Sequence, residues 1–293
     1  MSTLWKDIQY KLLKSDSKLS LLIGINVIVY LGINAVAVIE QLFTGFGNSA
    51  VIAYTNEYLL LPAYLPKLLY RFWTPFTYMF MHAGIFHILF NMLWLYWMGQ
   101  IFEEYLGNKR TIGLYLFGGL AGGLLFVACY NLIPAFTSVN AAANGVVVGA
   151  SASVMAIIIA TATLLPNYTI QLILIGPVKL KWIALFYIVI DFLGIASANA
   201  GGEIAHLGGA LFGFIYIKQV QRGHDWIGGI SKLFAPKPKL KVVSNSGAPR
   251  KTSGAPRQED VDRILDKISG SGYDSLTRQE KETLFRASNN NEG

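Results

Sequence analysis

The stretch Val146–Leu165, VVVGASASVMAIIIATATLL, decides the fold. It lies in a longer segment, between Arg110 and Lys179, that contains no Asp, Glu, Lys or Arg. Two more such intervals run from Lys18 to Glu40 and from Arg71 to Glu103. Crossing a bilayer takes about 20 mostly apolar residues, and each interval is long enough. The whole chain of 293 residues is 53% hydrophobic and only 14% charged, with a mean hydropathy of +0.44. A soluble domain carries about 25% charged residues. The pattern therefore predicts an all-α, polytopic membrane protein, not a large soluble protein with buried helices.

Six spans fit: Leu19–Ile39, about Ile85–Phe102, about Thr111–Leu132, Val146–Leu165, about Lys181–Ala198 and about Glu203–Val220. A long connection from Glu40 to Gly84 carries Pro62, Pro66, Pro75 and many aromatics. Trp94 and Trp97 read as interfacial anchors. Ile170–Val178 is apolar but too short to span, so it reads as a connector. The first 18 residues are polar, and no cleavable signal peptide is expected. The single cysteine, Cys129, excludes an intramolecular disulfide and a cysteine-based metal site.

The net charge of +7 would suit nucleic acid, but its placement points elsewhere. Lys6, Lys11, Lys14 and Lys18 precede the first span, Lys109 and Arg110 the third, and Lys179 and Lys181 the fifth; Lys218, Arg222 and Lys232 mark the end of the last. The positive-inside rule places these in the cytoplasm. Both termini are then cytoplasmic, and no nucleic-acid partner is expected. Lys67 and Arg71 lie in an outward loop, against the trend.

Beyond the spans the composition changes. Residues 1–18 form a cytosolic segment, 19–220 the membrane domain and 221–258 a basic, flexible linker. Val261, Ile264, Leu265 and Ile268 then recur at helical spacing. Thr277-Arg-Gln-Glu280 is a capping box for a second helix. Residues 259–287 thus read as a small cytosolic helical hairpin, either an element that docks a cytosolic partner or a marginal tail with none, and 288–293 as a disordered tail.

Polar groups inside a span are costly and point to function. Ser151 and His206 each stand near the start of a predicted inward-running span, at similar depth. A Ser–His pair is the minimum machinery for nucleophilic acyl transfer. Gly149, Ala150 and Ala152 keep the surroundings of Ser151 small, and a helix N-terminus offers N–H groups to an oxyanion. Ala205, Gly209 and Gly213 recur every four residues, which predicts close packing of the last span. On that reading a side chain at Gly208, off the stripe, should be tolerated better than one at Gly209. His87 and Asn91, four apart on one helical face, can donate to the same oxyanion. His82, His87 and His206 form an alternative three-histidine metal site, disfavoured because no carboxylates stand nearby in sequence to orient the ligands. Asp191, near the middle of the predicted fifth span, has two readings, a third triad member or a buried or interfacial residue bonded to helix neighbours, and its depth favours the second.

Taken together these residues resemble the rhomboid family of intramembrane serine proteases, over about residues 19–220. Trp73 with Thr77–His82 resembles the end of the family's first outward loop. His87-x-x-x-Asn91, Gly149-Ala150-Ser151 and Ala205-His206-x-x-Gly209-x-x-x-Gly213 match its three motifs in order. The resemblance implies a six-helix bundle and a Ser151–His206 dyad without an aspartate. It further implies an oxyanion site at His87 and Asn91, supporting roles for Gly149, Ala205, Gly209, Gly213 and His82, and no metal or cofactor. Its substrates would be transmembrane proteins in the lipid bilayer, cleaved at the outer face of a bacterial inner membrane. Ala152, Thr74 and Met155 depart from the family's usual Gly, Arg and Tyr. A rhomboid-like protein that binds membrane clients without cleaving them is the alternative; such proteins lack the Ser or the His.

Overall fold

A computed structural model describes residues 17–137, 141–172, 175–233 and 256–289. Most of segments 1–18 and 221–258, and most of the tail 288–293, lie outside them. The chain divides into two compact units between residues 235 and 236.

In the first unit four helices are long and apolar enough to cross a membrane: α1 (Lys18–Thr44), α3 (Ile85–Leu106), α4 (Asn108–Leu132) and α7 (Ala200–Gln221). Between α1 and α3 lie α2 (Ala50–Tyr58) and short helical turns at Leu65–Tyr70, Thr74–Thr77 and Tyr78–Phe80. Two expected spans are shorter than predicted. The fourth is α5 (Ser151–Leu164), 14 residues, or about 21 Å at about 1.5 Å per residue. Val146 and Val147 are not part of it; as strand β2 they pair antiparallel with β1, Leu61–Pro62. The fifth is α6 (Leu180–Gly194), 15 residues, which stops before residues 195–198. The predicted connector at 170–178 is a hairpin, β3 (Thr169–Leu172) against β4 (Gly176–Lys179).

The shortness of α5 follows from its position. It is almost wholly buried from Ala152 to Ala162 and packs against α3, α4, α6 and α7. Where α5 touches α7 there is no room for side chains. A Cβ on Gly209 would collide with the Ala152 carbonyl, and one on Gly213 with the Ala156 carbonyl. Both contacts advance by four residues, so the two helices run parallel with Ser151 close to the level of His206. Gly118 and Gly122 of α4 close the third side, against Ala156 and against the Ala205 carbonyl with Ala152. The outer faces of the helices are apolar: Ile28, Leu31, Phe43, Leu124, Phe192 and Leu193 are all exposed, as suits a protein solvated by lipid.

Polar contacts fix the helix ends. Glu103 of α3 accepts from the Ser17 hydroxyl at 2.6 Å and from the Lys18 and Leu19 N–H groups, capping α1. In the loop between α1 and α3, Arg71 pairs with Glu57 at 2.5 Å and lies over the Tyr58 ring. The Arg71 guanidinium holds the Glu57 carboxyl below the usual carboxylate range. The first unit also extends past the expected boundary at 220. Helix α8 (Trp226–Leu233) seats Ile227 against Gly113, and Asp225 pairs with Arg110 at 2.7 Å and accepts from Tyr216.

The second unit is a helical hairpin, α9 (Gln258–Ser271) and α10 (Arg278–Asn289). Glu280 accepts from the Thr277 N–H at 2.7 Å, the Glu280 N–H donates back to the Thr277 hydroxyl, and Lys267 pairs with Glu280 at 2.9 Å. This is the capping box read in the sequence.

Candidate active site

The site begins at Gly149. Its φ is +119°, a conformation open to glycine at little cost. Its N–H donates to the Tyr78 carbonyl at 3.0 Å. A Cβ there would lie 2.7 Å from His87 Nε2 and 3.7 Å from Ser151 Oγ. The turn at Gly149 therefore delivers Ser151 to the first position of α5 with the His87 ring beside it. Ser153 points elsewhere: it is fully buried and faces Gly119 of α4. Two residues along a helix turn a side chain by about 200°, which accounts for the difference.

His87 and Asn91 stand on the first two turns of α3. The Ala83 N–H donates to His87 Nδ1 at 3.3 Å. In the neutral ring the proton then sits on Nε2, on the side facing Gly149 and Ser151. The Asn91 amide donates to the His87 carbonyl at 2.8 Å and retains a second N–H. His82 packs edge-on against His87, with ring centroids 5.2 Å apart, and lines a separate small cavity with Asn34 and Asn56.

His206 is the seventh residue of α7, not an opening one, because α7 starts at Ala200. It still lines the same cavity as Ser151, since α7 begins more than a turn before the level of α5. Ser151, His206, His87, Asn91 and Met155 line one cavity of about 660 Å³. Trp94 lines it too, edge-on to Trp97 and to Tyr187.

The expected burial of Asp191 holds, but its partner and its depth differ from the expectation. Asp191 is buried and its Oδ1 lies 3.2 Å from His206 Nδ1. The sequence reading placed it midway down a span ending at 198. Helix α6 ends at Gly194, so Asp191 sits in its last turn, level with the site. The statement that no carboxylates are near the histidines fails as well. Glu203 Oε2 is 3.6 Å from the same Nδ1, and the Asn199 amide donates to Glu203 Oε1 at 3.2 Å. Among the described residues, the group whose potential metal-ligand atoms converge is Asp191, Glu203 and His206, within 4.8 Å of one another. His82, His87 and His206 do not form such a group.

Comparison with known proteins agrees with this geometry. The family model of the Rhomboid domain matches residues 70–222. A family of unknown function (DUF6576) matches residues 253–290. The chain is 32% identical over 161 residues to the mitochondrial RHOMBOID-like protein 12 of Arabidopsis thaliana, covering 52% of this chain and 48% of that one. It is 31% identical over 157 residues to RHOMBOID-like protein 1 of the same plant, covering 52% and 36%. The matched segment thus spans about half or less of these relatives. With apolar membrane-crossing helices around the motifs His87-x-x-x-Asn91, Gly149-x-Ser151 and Ala205-His206-x-x-Gly209, this chain is an integral membrane protein that belongs to the rhomboid family.

Proposed function

We propose that the chain is an intramembrane serine endopeptidase that cleaves transmembrane proteins in or beside their membrane segments. The observation that carries this reading is the gathering of Ser151, His206, His87 and Asn91, from three helices, around one cavity. His206 Nδ1 faces Asp191, which leaves Nε2 to take the Ser151 proton. Ser151 Oγ attacks the scissile carbonyl. The developing oxyanion accepts from His87 Nε2–H, the Asn91 amide and the Ser151 N–H at the start of α5. His206 then protonates the leaving amine, and water releases the acyl-enzyme. A carbonyl bonded within a helix is shielded from attack, so a substrate must present a locally unwound segment.

The reading includes six membrane helices, with α5 and α6 as the two short ones. Both termini and the hairpin are cytoplasmic, following the positive-inside rule, and the cavity opens toward the outer face of a bacterial inner membrane. The hairpin docks a cytosolic partner.

The test is fluorophosphonate labelling together with cleavage of a reporter transmembrane substrate. Ser151→Ala should lose both at unchanged expression, and Ser153→Ala should keep both. Labelling that survives Ser151→Ala would place the nucleophile elsewhere, and absence of labelling and cleavage in the wild type would favour a client-binding protein.

A further inference from the structure

We infer that Asp191 is a positioning residue that orients His206, which makes the site a carboxylate–histidine–serine arrangement and not a bare dyad. This rests on the proposed protease reading. Three observations support it. Asp191 comes from α6 and meets His206 of α7 at 3.2 Å, so the contact fixes an imidazole between two helices. Asp191 is 3% exposed. Its other oxygen, Oδ2, is buried with no donor.

The last point separates function from stability. A carboxylate taken out of water costs free energy unless both oxygens are well bonded. Asp191 has one bond to an N–H donor and a second carboxyl group, that of Glu203, close beside it, so it adds little to folding. What it supplies is direction. By accepting from Nδ1–H it selects the ring tautomer whose Nε2 is bare and turned toward Ser151, and it stabilises the imidazolium that forms when Ser151 gives up its proton.

Glu203 is the competing candidate, and the geometry ranks it second. It stands 3.6 Å from the same nitrogen. It precedes His206 by three residues on the same helix, so it ties no second helix to the ring, and the exposed Asn199 holds it from the other side.

The full-length protein in detergent micelles or liposomes serves for the test. Steady-state cleavage, the rate of fluorophosphonate inactivation and thermal unfolding are compared for Asp191→Asn, Asp191→Ala, Glu203→Gln and Ser151→Ala. Asp191→Ala should lower kcat by roughly 10- to 100-fold, the range for a general base displaced by about 1 Å, with KM within about twofold. Probe inactivation, which needs the Ser–His pair but no peptide, should slow in parallel. Asp191→Asn keeps shape and an acceptor oxygen but loses the charge, so it should fall between Asp191→Ala and wild type. Neither variant should lower the unfolding temperature. In ¹⁵N spectra the His206 ring of the wild type should carry its proton on Nδ1, and Asp191→Ala should lose that preference. Wild-type kcat and probe rates in both Asp191 variants would overturn the inference. So would a drop confined to Glu203→Gln, or a loss of activity matched by a loss of thermal stability. Absence of cleavage and of probe labelling in the wild type would instead sink the protease reading itself, and activity that survives Ser151→Ala would remove Ser151 as the nucleophile.

Discussion

Gly149 is the residue on which the site's geometry turns. At φ +119° an L side chain is strained, at about 1–3 kcal/mol, and its Cβ would press on His87. Gly149→Ala should therefore still fold in the membrane but lose roughly 100-fold in cleavage, since about 1 Å of misplacement costs about that much. Probe labelling and cleavage measured side by side check this; near-normal rates would mean that His87 is not held against this turn. At the same scale, Ser153 shows how little a motif says of direction. It is two residues from Ser151 and equally polar, yet it lies fully buried beside Gly119.

Among the elements, α7 carries the most constraint, because it meets backbone on two sides. Gly209 and Gly213 face carbonyls of α5, as the four-residue stripe predicted. Gly208 faces α4: a Cβ there would come within 2.8 Å of the Gly122 Cα and 2.9 Å of the Ala121 carbonyl oxygen. The order of the two positions stays as expected, since a Cβ on Gly209 would meet the Ala152 carbonyl oxygen at 2.0 Å, but Gly208 has less room than a position off the stripe was expected to have. A single-stripe reading allows for one neighbour, whereas α7 has two. Gly209→Val pushes on the Ala152 carbonyl, next to Ser151, and Gly208→Val pushes α7 off α4. Both should insert in the membrane and cleave at least about 100-fold more slowly than wild type. Matched-expression assays showing Gly208→Val near wild type would mean that α7 can shift away from α4 without moving His206.

For the whole molecule, the division between residues 235 and 236 separates a membrane unit that holds every proposed site residue from a hairpin that holds none. A chain ending at residue 235 should keep probe labelling and reporter cleavage within about twofold in detergent. A larger loss would give the hairpin a part in the protease itself. The hairpin buries little apolar surface, chiefly Ile264 and Leu276, and a domain this small is marginal alone.

Charge-free intervals and motif spacing were enough to read a helical membrane protein, the helices α1, α3, α4 and α7, and the four residues Ser151, His206, His87 and Asn91 that line one cavity. These features are local. A bilayer demands long apolar runs, and a helix sets which residues share a face. The capping box at Thr277 and Glu280 was legible for the same reason, since its bonds close within four residues. What tertiary structure alone decided was everything set by a neighbour distant in sequence. Helix α5 is short because it is enclosed by protein and need not match the bilayer. Gly208 is confined too, though less tightly than Gly209, because α4 packs there. Asp191 meets His206 because α6 ends early and brings its last turn beside α7. Hydropathy measures how well a segment suits lipid, and it carries no record of which helix will lie alongside.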